Sequence, residues 1–439
     1  MMTDMSTLKV IGGKKLTGEI EPIPNKNSLV AALPAALLSD QDVVFFKVPQ
    51  TSDVEKILKV IVMLGAKVTR DIEKVTINAA DLNSYVIDPE LGSQMRATLM
   101  FAGPLLARFG KAVVPMPGGC ELGMRSISAH VDAFTKAGVK VYREGPNVVF
   151  EAPSEVKTDY RVWQIEASVS ATENLAMYCA GIDAEVSIID AACEPHVSDL
   201  MRLLTAMGAK VDGVGSNLLK IKGTRKFKTA EFLAGPDFVD IAGLFVAAAV
   251  TRGRITVKNA YVPEIVDGLI DWFRLFNVEI EVRDKDIVVD GVKDLRIDTE
   301  NSGFPLAAVN LPKLVPRPWP GFPVDVIPVM AVIASRTKGR LLLQNWMYES
   351  GLEFVRELNA IGADIFVADP QRIIINGPVK FTGGDVTPPS VIQAVKAVFL
   401  ASLCDDVTTT IHGVEILKRR YPNIFEEYRS LGANLELLD

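Results

Sequence analysis

Residues 54–68, VEKILKVIVMLGAKV, carry a pattern that returns along the whole chain. Val54, Ile57, Leu58 and Ile61 recur at helical spacing. Gly65 then stands where a helix ends, and glycine adopts a left-handed conformation there without steric cost. Beyond it, KVTINA (74–79) alternates as a strand does. The closing phrase LGAKV (64–68) has five further copies: AGVKV (137–141), MGAKV (207–211), FNVEI (276–280), IGADI (361–365) and LGANL (431–435). In the fourth copy Asn277 replaces the glycine, and Asn is the next best left-handed residue. The run DLMRLLTAM (199–207) and the strand NLLKIKG (217–223) repeat the helix and strand halves of the plan. Each unit therefore reads as helix, Gly cap, strand, turn, strand, and a repeat on this scale has to be explained before any local motif. Six units predict an α/β fold of two domains with three repeats each, helices inside and sheets outside about a pseudo-threefold axis. The punctuated stretch RKFKTAEFLAGPD (225–237) lies between copies three and four and sets the expected boundary near 235. The cleft between two such lobes is the expected active site.

Composition agrees with a folded chain. The 439 residues allow two or three domains, and 49% hydrophobic with 23% charged residues excludes a disordered or disulfide-framework protein. A net charge of −7 argues against nonspecific nucleic-acid binding. The cysteines, Cys120, Cys179, Cys193 and Cys404, form no CxxC pair and only His130, His196 and His412 accompany them, so no zinc site is expected. The N-terminal stretch has no apolar signal core, and apolar runs such as 241–250 are too short to span a bilayer. The expected setting is cytoplasmic, with free thiols and no membrane partner.

Several stretches carry residues suited to chemistry. PMPGGCELGMRS (115–126) reads as a glycine-rich loop around Cys120; the glycines make a buried inert thiol the poorer reading, and basic side chains beside it would favour the thiolate while Glu121, if turned inward, would oppose it. In IPNKNSLVAALPAALL (23–38), Lys26 and Asn27 precede an apolar helical run, a position that favours anions, although an exposed lysine near a cap is equally ordinary. MRATLMFAGPLLARFG (95–110) holds Arg96 and Arg108 in apolar surroundings, Arg108 being the better candidate for a structural salt bridge. In SVSATEN (168–174), Ser168 and Thr172 are candidate helix caps whose open N–H groups also suit a phosphate. Asp325 precedes an apolar helix among Pro318, Pro320, Pro323 and Pro328 and is either a cap or a positioned base. Lys418, Arg419 and Arg420 form a cationic cluster before the last helix, suited to phosphate or simply solvated.

Taken together, the chain resembles the enolpyruvyl transferases. The carriers are GGKKLTGEI (12–20), NKNSLVAALPAALLSD (25–40), MRATLMFAGPLLARFGKA (95–112), PGGCELGMR (117–125), SVSATEN (168–174), AACEPHVSDL (191–200), GPDFVDIAGLFVAAA (235–249) and PGFPVD (320–325), in that order. Parts of the C-terminal half, VDVIPVMAVIA (324–334) and RRYPNIFEEYRSLGA (419–433), are closer to the shikimate-pathway branch. The resemblance implies a two-domain inverse α/β prism, with 26–235 forming one domain and 1–25 joining 236–439 in the other. It implies transfer of enolpyruvyl from phosphoenolpyruvate to a hydroxyl of UDP-N-acetylglucosamine, with release of phosphate, in peptidoglycan synthesis. Carried over, Cys120 is the general acid, Lys26, Arg125 and Arg419 cradle the phosphate, and Asp325 lies at the acceptor hydroxyl. Asn27, Arg96, Ser168 and Val169 are implied contacts to the nucleotide sugar. No metal or organic cofactor is implied, and the partners are small molecules only.

The chain departs from the family at identifiable positions. Two arginines implied to hold the phosphoenolpyruvate carboxylate are missing: the stretch YESGLEF (348–354) has Gly351 at one place, and VIQAV (391–395) has Gln393 at the other. The loop after Arg125 reads SISA (126–129), Glu166 stands where a cation is common, and Phe238 replaces an arginine. These departures keep two alternatives open: a related transferase with a different acceptor, or a noncatalytic paralogue.

Overall fold

The computed structural model describes residues 6–72, 74–93, 95–116, 126–297 and 311–438. Apart from the undescribed 117–125, these fall into two compact units. A central unit spans Pro24–Gly235, and a composite unit joins the residues up to Ile23 with Pro236 onward.

Six sheets occur among the described residues, three in each unit, and they share one plan. In the composite unit, Arg254–Val257 pairs in parallel with Thr17–Ile20 on one side. On its other side it pairs antiparallel with Asp286–Asp290, which continues to Glu279–Arg283. Gly339–Gln344 and Thr408–His412 occupy the equivalent place in the other two sheets, with Lys313–Leu314 and Gly384–Val386 as their parallel edges. In the last sheet, Thr408–His412 pairs antiparallel with Thr7–Ile11, which in turn pairs antiparallel with Asn434–Leu438. The central unit repeats the plan around Val43–Phe46 and Glu185–Ile189. Its third sheet, Lys111–Pro115 with Asn147–Glu151 and Lys140–Glu144, has three strands, and a parallel bridge from Val86 to Val113 marks the missing edge.

The repeated phrase is the junction between an amphipathic helix and the hairpin of each sheet. Helices such as Ser52–Met63 and Pro195–Met207 bury one face and expose the other. The six residues at the junction all have positive φ: Gly65, Gly138, Gly208, Asn277, Gly362 and Gly432. Asn277 sits at φ 66° and donates from Nδ2 to Asp294 O at 2.9 Å, which helps hold the one non-glycine junction.

Each repeat contains a second helix that the phrase does not announce. Phe238–Val250, Ile327–Arg336 and Ile392–Ser402 pack on one another in the composite unit. Every residue of Phe238–Val250 is buried. In the central unit, Val169–Ala180 packs against Lys26–Ala35 and Ala102–Phe109. A helix buried on all sides shows no apolar stripe. Close approach depends on small residues here: a Cβ on Gly103 would lie 2.1 Å from Asn174 O. Asn174 fastens the contact, accepting from Gly103 N at 2.6 Å and donating to Leu99 O at 2.7 Å.

Candidate functional site

In the central unit the helix starts two residues earlier than the sequence pattern suggests, at Lys26 rather than Ser28. Asn25 is the cap, accepting from Asn27 N at 3.0 Å, so Lys26 and Asn27 lie inside the first turn. Lys26 Nζ donates to Asp53 Oδ2 at 2.7 Å, with both side chains about nine-tenths buried. Asp53, in the first turn of Ser52–Met63, was not a candidate from the sequence, because an acidic residue near a helix start is ordinary. An anion at Lys26 therefore shares its charge with Asp53.

The helix that begins at Val169 is capped by Ser168, whose hydroxyl accepts from Ala171 N. Thr172 is not a cap: buried one turn in, it donates to Gln164 Oε1 at 3.0 Å and accepts from Ala192 N. Beside this start, His130 Nε2 lies 2.9 Å from Ser170 Oγ and its Nδ1 lies 3.3 Å from Asn174 Nδ2. Burial, and then the charge of Arg96, lower His130 to about 3, so it is neutral at physiological pH. Arg96 opens the 3₁₀ turn Arg96–Phe101 and donates to Ser126 O at 2.8 Å. That turn, Lys26–Ala35 and Val169–Ala180 pack against one another, so the elements bearing Lys26, Asn27, Arg96, Ser168 and Val169 meet within this unit.

Arg108 makes no salt bridge of the expected kind. Its guanidinium donates to Leu38 O and Ala79 O, both at 3.2 Å, closing carbonyls that strand and helix ends leave open. Cys179 and Cys404 are buried as expected of inert thiols, whereas Cys193 is only half-buried. Cys120 and Arg125 lie outside the described residues.

In the composite unit Asp325 caps no helix. It lies within the 3₁₀ turn Val324–Val326 and makes no capping bond to the helix Ile327–Arg336. Tyr348 Oη donates toward Asp325 Oδ1 at 3.5 Å. The cationic cluster is split by burial. Lys418 and Arg419 end a 3₁₀ turn on the surface, whereas Arg420 is buried. Arg420 grips Asp237 in a fork, Nε to Oδ2 at 2.7 Å and Nη2 to Oδ1 at 2.8 Å, and places Nη1 3.9 Å from Asp325 Oδ2. Asp237 meanwhile caps Phe238–Val250, accepting from Val239 N and Asp240 N. The sequence showed three adjacent cations and gave no sign of which one turns inward.

Below this pair, Lys396 Nζ lies 3.4 Å from Asp240 Oδ1 and 4.1 Å from the centre of the Tyr421 ring. Burial lowers Lys396 and raises Asp240. Phe238, where an arginine was implied, packs against Trp319 with ring centres 5.5 Å apart, and Glu166 is exposed.

A cavity of ≈ 40 Å³ opens beside Asp325, its wall including Asn345, Tyr348, Gly351, Glu353 and Gln393. Both positions where the sequence lacks an implied arginine, 351 and 393, thus line one space with Asp325. None of the lining residues is Lys, Arg or His. Gly351 has no room for a side chain as the wall stands: a Cβ there would lie 2.3 Å from Asn345 Nδ2. No group of His, Cys, Asp and Glu suited to a metal occurs among the described residues, and no described helix is long and apolar enough to cross a membrane.

Sheets on one plan, three to a unit, over buried helices define the inverse α/β prism with two domains and six repeats. The chain belongs to the EPSP synthase (3-phosphoshikimate 1-carboxyvinyltransferase) family, which it matches over residues 10–428, and it is an enolpyruvyl transferase. It is 36% identical over 433 residues to the UDP-N-acetylglucosamine 1-carboxyvinyltransferase of Bradyrhizobium diazoefficiens, covering 97% of each chain. It is 34% identical over 429 residues to the enzyme of the same name from Treponema denticola, covering 97% of this chain and 98% of that one. Its fold matches the enolpyruvyl transferase NikO from Streptomyces tendae with a TM-score of 0.85 at 18% identity, over 99% of both chains. The EPSP synthase of Acinetobacter baumannii matches with a TM-score of 0.78 at 18% identity, over 99% of this chain and 100% of that one.

Proposed function

We propose that this chain transfers the enolpyruvyl group of phosphoenolpyruvate to a hydroxyl of UDP-N-acetylglucosamine, releasing phosphate, in the cytoplasmic phase of peptidoglycan synthesis. The full-length likeness to relatives bearing that activity in their names carries the reading. The chemistry assigns work to the expected residues. The acceptor oxygen bonds to the substituted enol carbon as the terminal carbon gains a proton. The carbon–oxygen bond to phosphate then breaks, the phosphate leaves with the bonding electrons, and a proton of the new methyl group passes to a basic group of the site, such as the thiolate left by the first step, to restore the double bond. Cys120 supplies the proton, Asp325 takes the hydroxyl proton, and Lys26, Arg125 and Arg419 hold the phosphate as charge grows on it. Asn27, Arg96, Ser168 and Val169 hold the nucleotide sugar.

A second reading, the same transfer to a different acceptor, is favoured by the cation-free cavity beside Asp325. Phosphate release measured with phosphoenolpyruvate and a panel of hydroxyl compounds tests both. Release only with UDP-N-acetylglucosamine supports the first reading, and release only with another compound supports the second. No release with any acceptor removes both. Cys120→Ala is expected to lose at least ~100-fold in turnover with an unchanged melting temperature, and unchanged turnover takes the thiol out of the reaction.

A further inference from the structure

A second cavity, of ≈ 210 Å³, is lined only by residues of the central unit and by none that the proposed reaction uses. Leu38, Ala107, Arg108 and Gly181 bring to its wall the C-terminal ends of three inner helices: Lys26–Ala35 with its extension Ala36–Leu38, Ala102–Phe109 and Val169–Ala180. A Cβ on Gly181 would lie 2.6 Å from Ala107 Cβ, so a glycine lets these ends meet. Lys26, Asn27, Ser168 and Val169 stand at the opposite ends of their helices, a distance of ~18 Å for the twelve residues of Val169–Ala180.

Helix C-termini are negative and by themselves repel an anion. Here their carbonyls are already paired. Arg108 donates to Leu38 O and Ala79 O, Arg225 Nη1 donates to Ala107 O at 3.1 Å, and Thr224 N donates to Ala180 O at 2.9 Å. A guanidinium has five N–H donors, so most of those on Arg108 and Arg225 stay open. Among the described residues neither side chain forms an ion pair, and Asp40, the one acid lining the cavity, is exposed. Arg225 and Phe227 come from KIKGTRKFK (220–228), which has five cations and no acid in a chain of net charge −7. Lys226 and Lys228 flank Phe227, exposed and without a carboxylate partner among the described residues. Two guanidiniums and two ammoniums thus outweigh Asp40 and three helix ends of about half a charge each.

We infer that this cavity binds the phosphate group of a small soluble molecule, at a place separate from the transfer site. Open donors on two planar forks suit the three terminal oxygens of a phosphate, where a carboxylate offers only two. The space holds several waters, which leaves room for a short extension beyond the phosphate. Binding here needs no step of the proposed reaction.

Hydrogen exchange of the full chain, read by mass spectrometry, tests the site and locates it. Inorganic pyrophosphate is compared with sodium chloride at matched ionic strength, because screening alone also changes exchange. Slower exchange is expected in peptides covering 36–41, 105–110 and 222–228, with one shared saturation curve. Arg225→Gln is expected to raise the half-saturating concentration by ~5-fold or more, and Arg108→Lys by ~3-fold or more. Lys59→Gln, which removes an exposed cation elsewhere in the same unit, is expected to leave it unchanged. Protection confined to peptides around Lys26 and Ser168 marks the transfer site alone and overturns the inference. An absence of saturable protection, or protection unchanged in both arginine variants, also overturns it. Protection by phosphatidic acid vesicles and not by pyrophosphate refutes a soluble ligand.

Discussion

Replacing Arg420 by methionine is expected to destabilise the composite unit by ~3–5 kcal/mol, because it strands a buried charge. Asp237 is fully buried and Arg420 is 4% exposed, so water reaches neither partner readily. Two backbone donors remain to Asp237, from Val239 and Asp240, at the start of a thirteen-residue helix. They favour the lower end of that range, since a capping carboxylate keeps part of its stabilisation. Asp237→Asn added to Arg420→Met removes the stranded charge while keeping a good cap. The double variant is expected to be at least ~1 kcal/mol more stable than Arg420→Met alone. Urea unfolding followed by tryptophan emission suits the measurement, because Trp272, Trp319 and Trp346 lie in the composite unit and only Trp163 lies in the central one. A loss below ~1 kcal/mol for Arg420→Met, or a double variant weaker than the single, refutes the picture of a buried pair whose partner cannot stand alone.

Three other outcomes follow from buried contacts. Burial, and then the Asp240 carboxylate, push Glu427 up to about 7, above its ordinary value of 4.5. The fold thus holds a proton that the unfolded chain releases, and stability falls as pH rises between those values, by at most ~1.4 kcal/mol per pH unit. Glu427→Gln should flatten that part of the pH–stability curve measured by urea midpoints, and an unchanged slope contradicts the assignment. Gly103→Ala should cost ~1–3 kcal/mol, read as a lowered melting temperature, because its methyl meets Asn174 O. Arg108→Met should cost ~1–2 kcal/mol nearly independently of salt, since carbonyls rather than a carboxylate receive its hydrogen bonds; a loss that disappears in high salt would restore the salt-bridge reading.

The amphipathic half of each repeat was legible in the sequence because water touches it. A helix with one wet face needs a polar stripe, and its exit needs a residue that tolerates positive φ, so Gly65 through Gly432 and Asn277 left a visible period. The inner helices were visible only as apolar runs, since Phe238–Val250 and its counterparts have no wet face to write a period. Local positions such as Lys26 near a helix start and Ser168 at a cap could be read from neighbours in sequence. Partners could not: Lys26 with Asp53, Arg420 with Asp237 and Arg108 with two carbonyls join residues 27 or more positions apart. Gly351 and Gln393 stood out as departures, but that they face one cavity with Asp325 and Glu353 is set by how a strand end, a turn and a helix start pack together.

The pairing of Thr7–Ile11 between Thr408–His412 and Asn434–Leu438 gives the chain a long wait during synthesis. At ribosomal speeds of about 5–20 residues per second, the first strand leaves the tunnel roughly 20–80 s before its partners exist. The central unit's sheets are complete within residues 43–233, so they can close while that early segment is still unpaired. An unpaired β-edge with alternating apolar residues is a template for other chains, which makes the interval one in which a chaperone has something to hold.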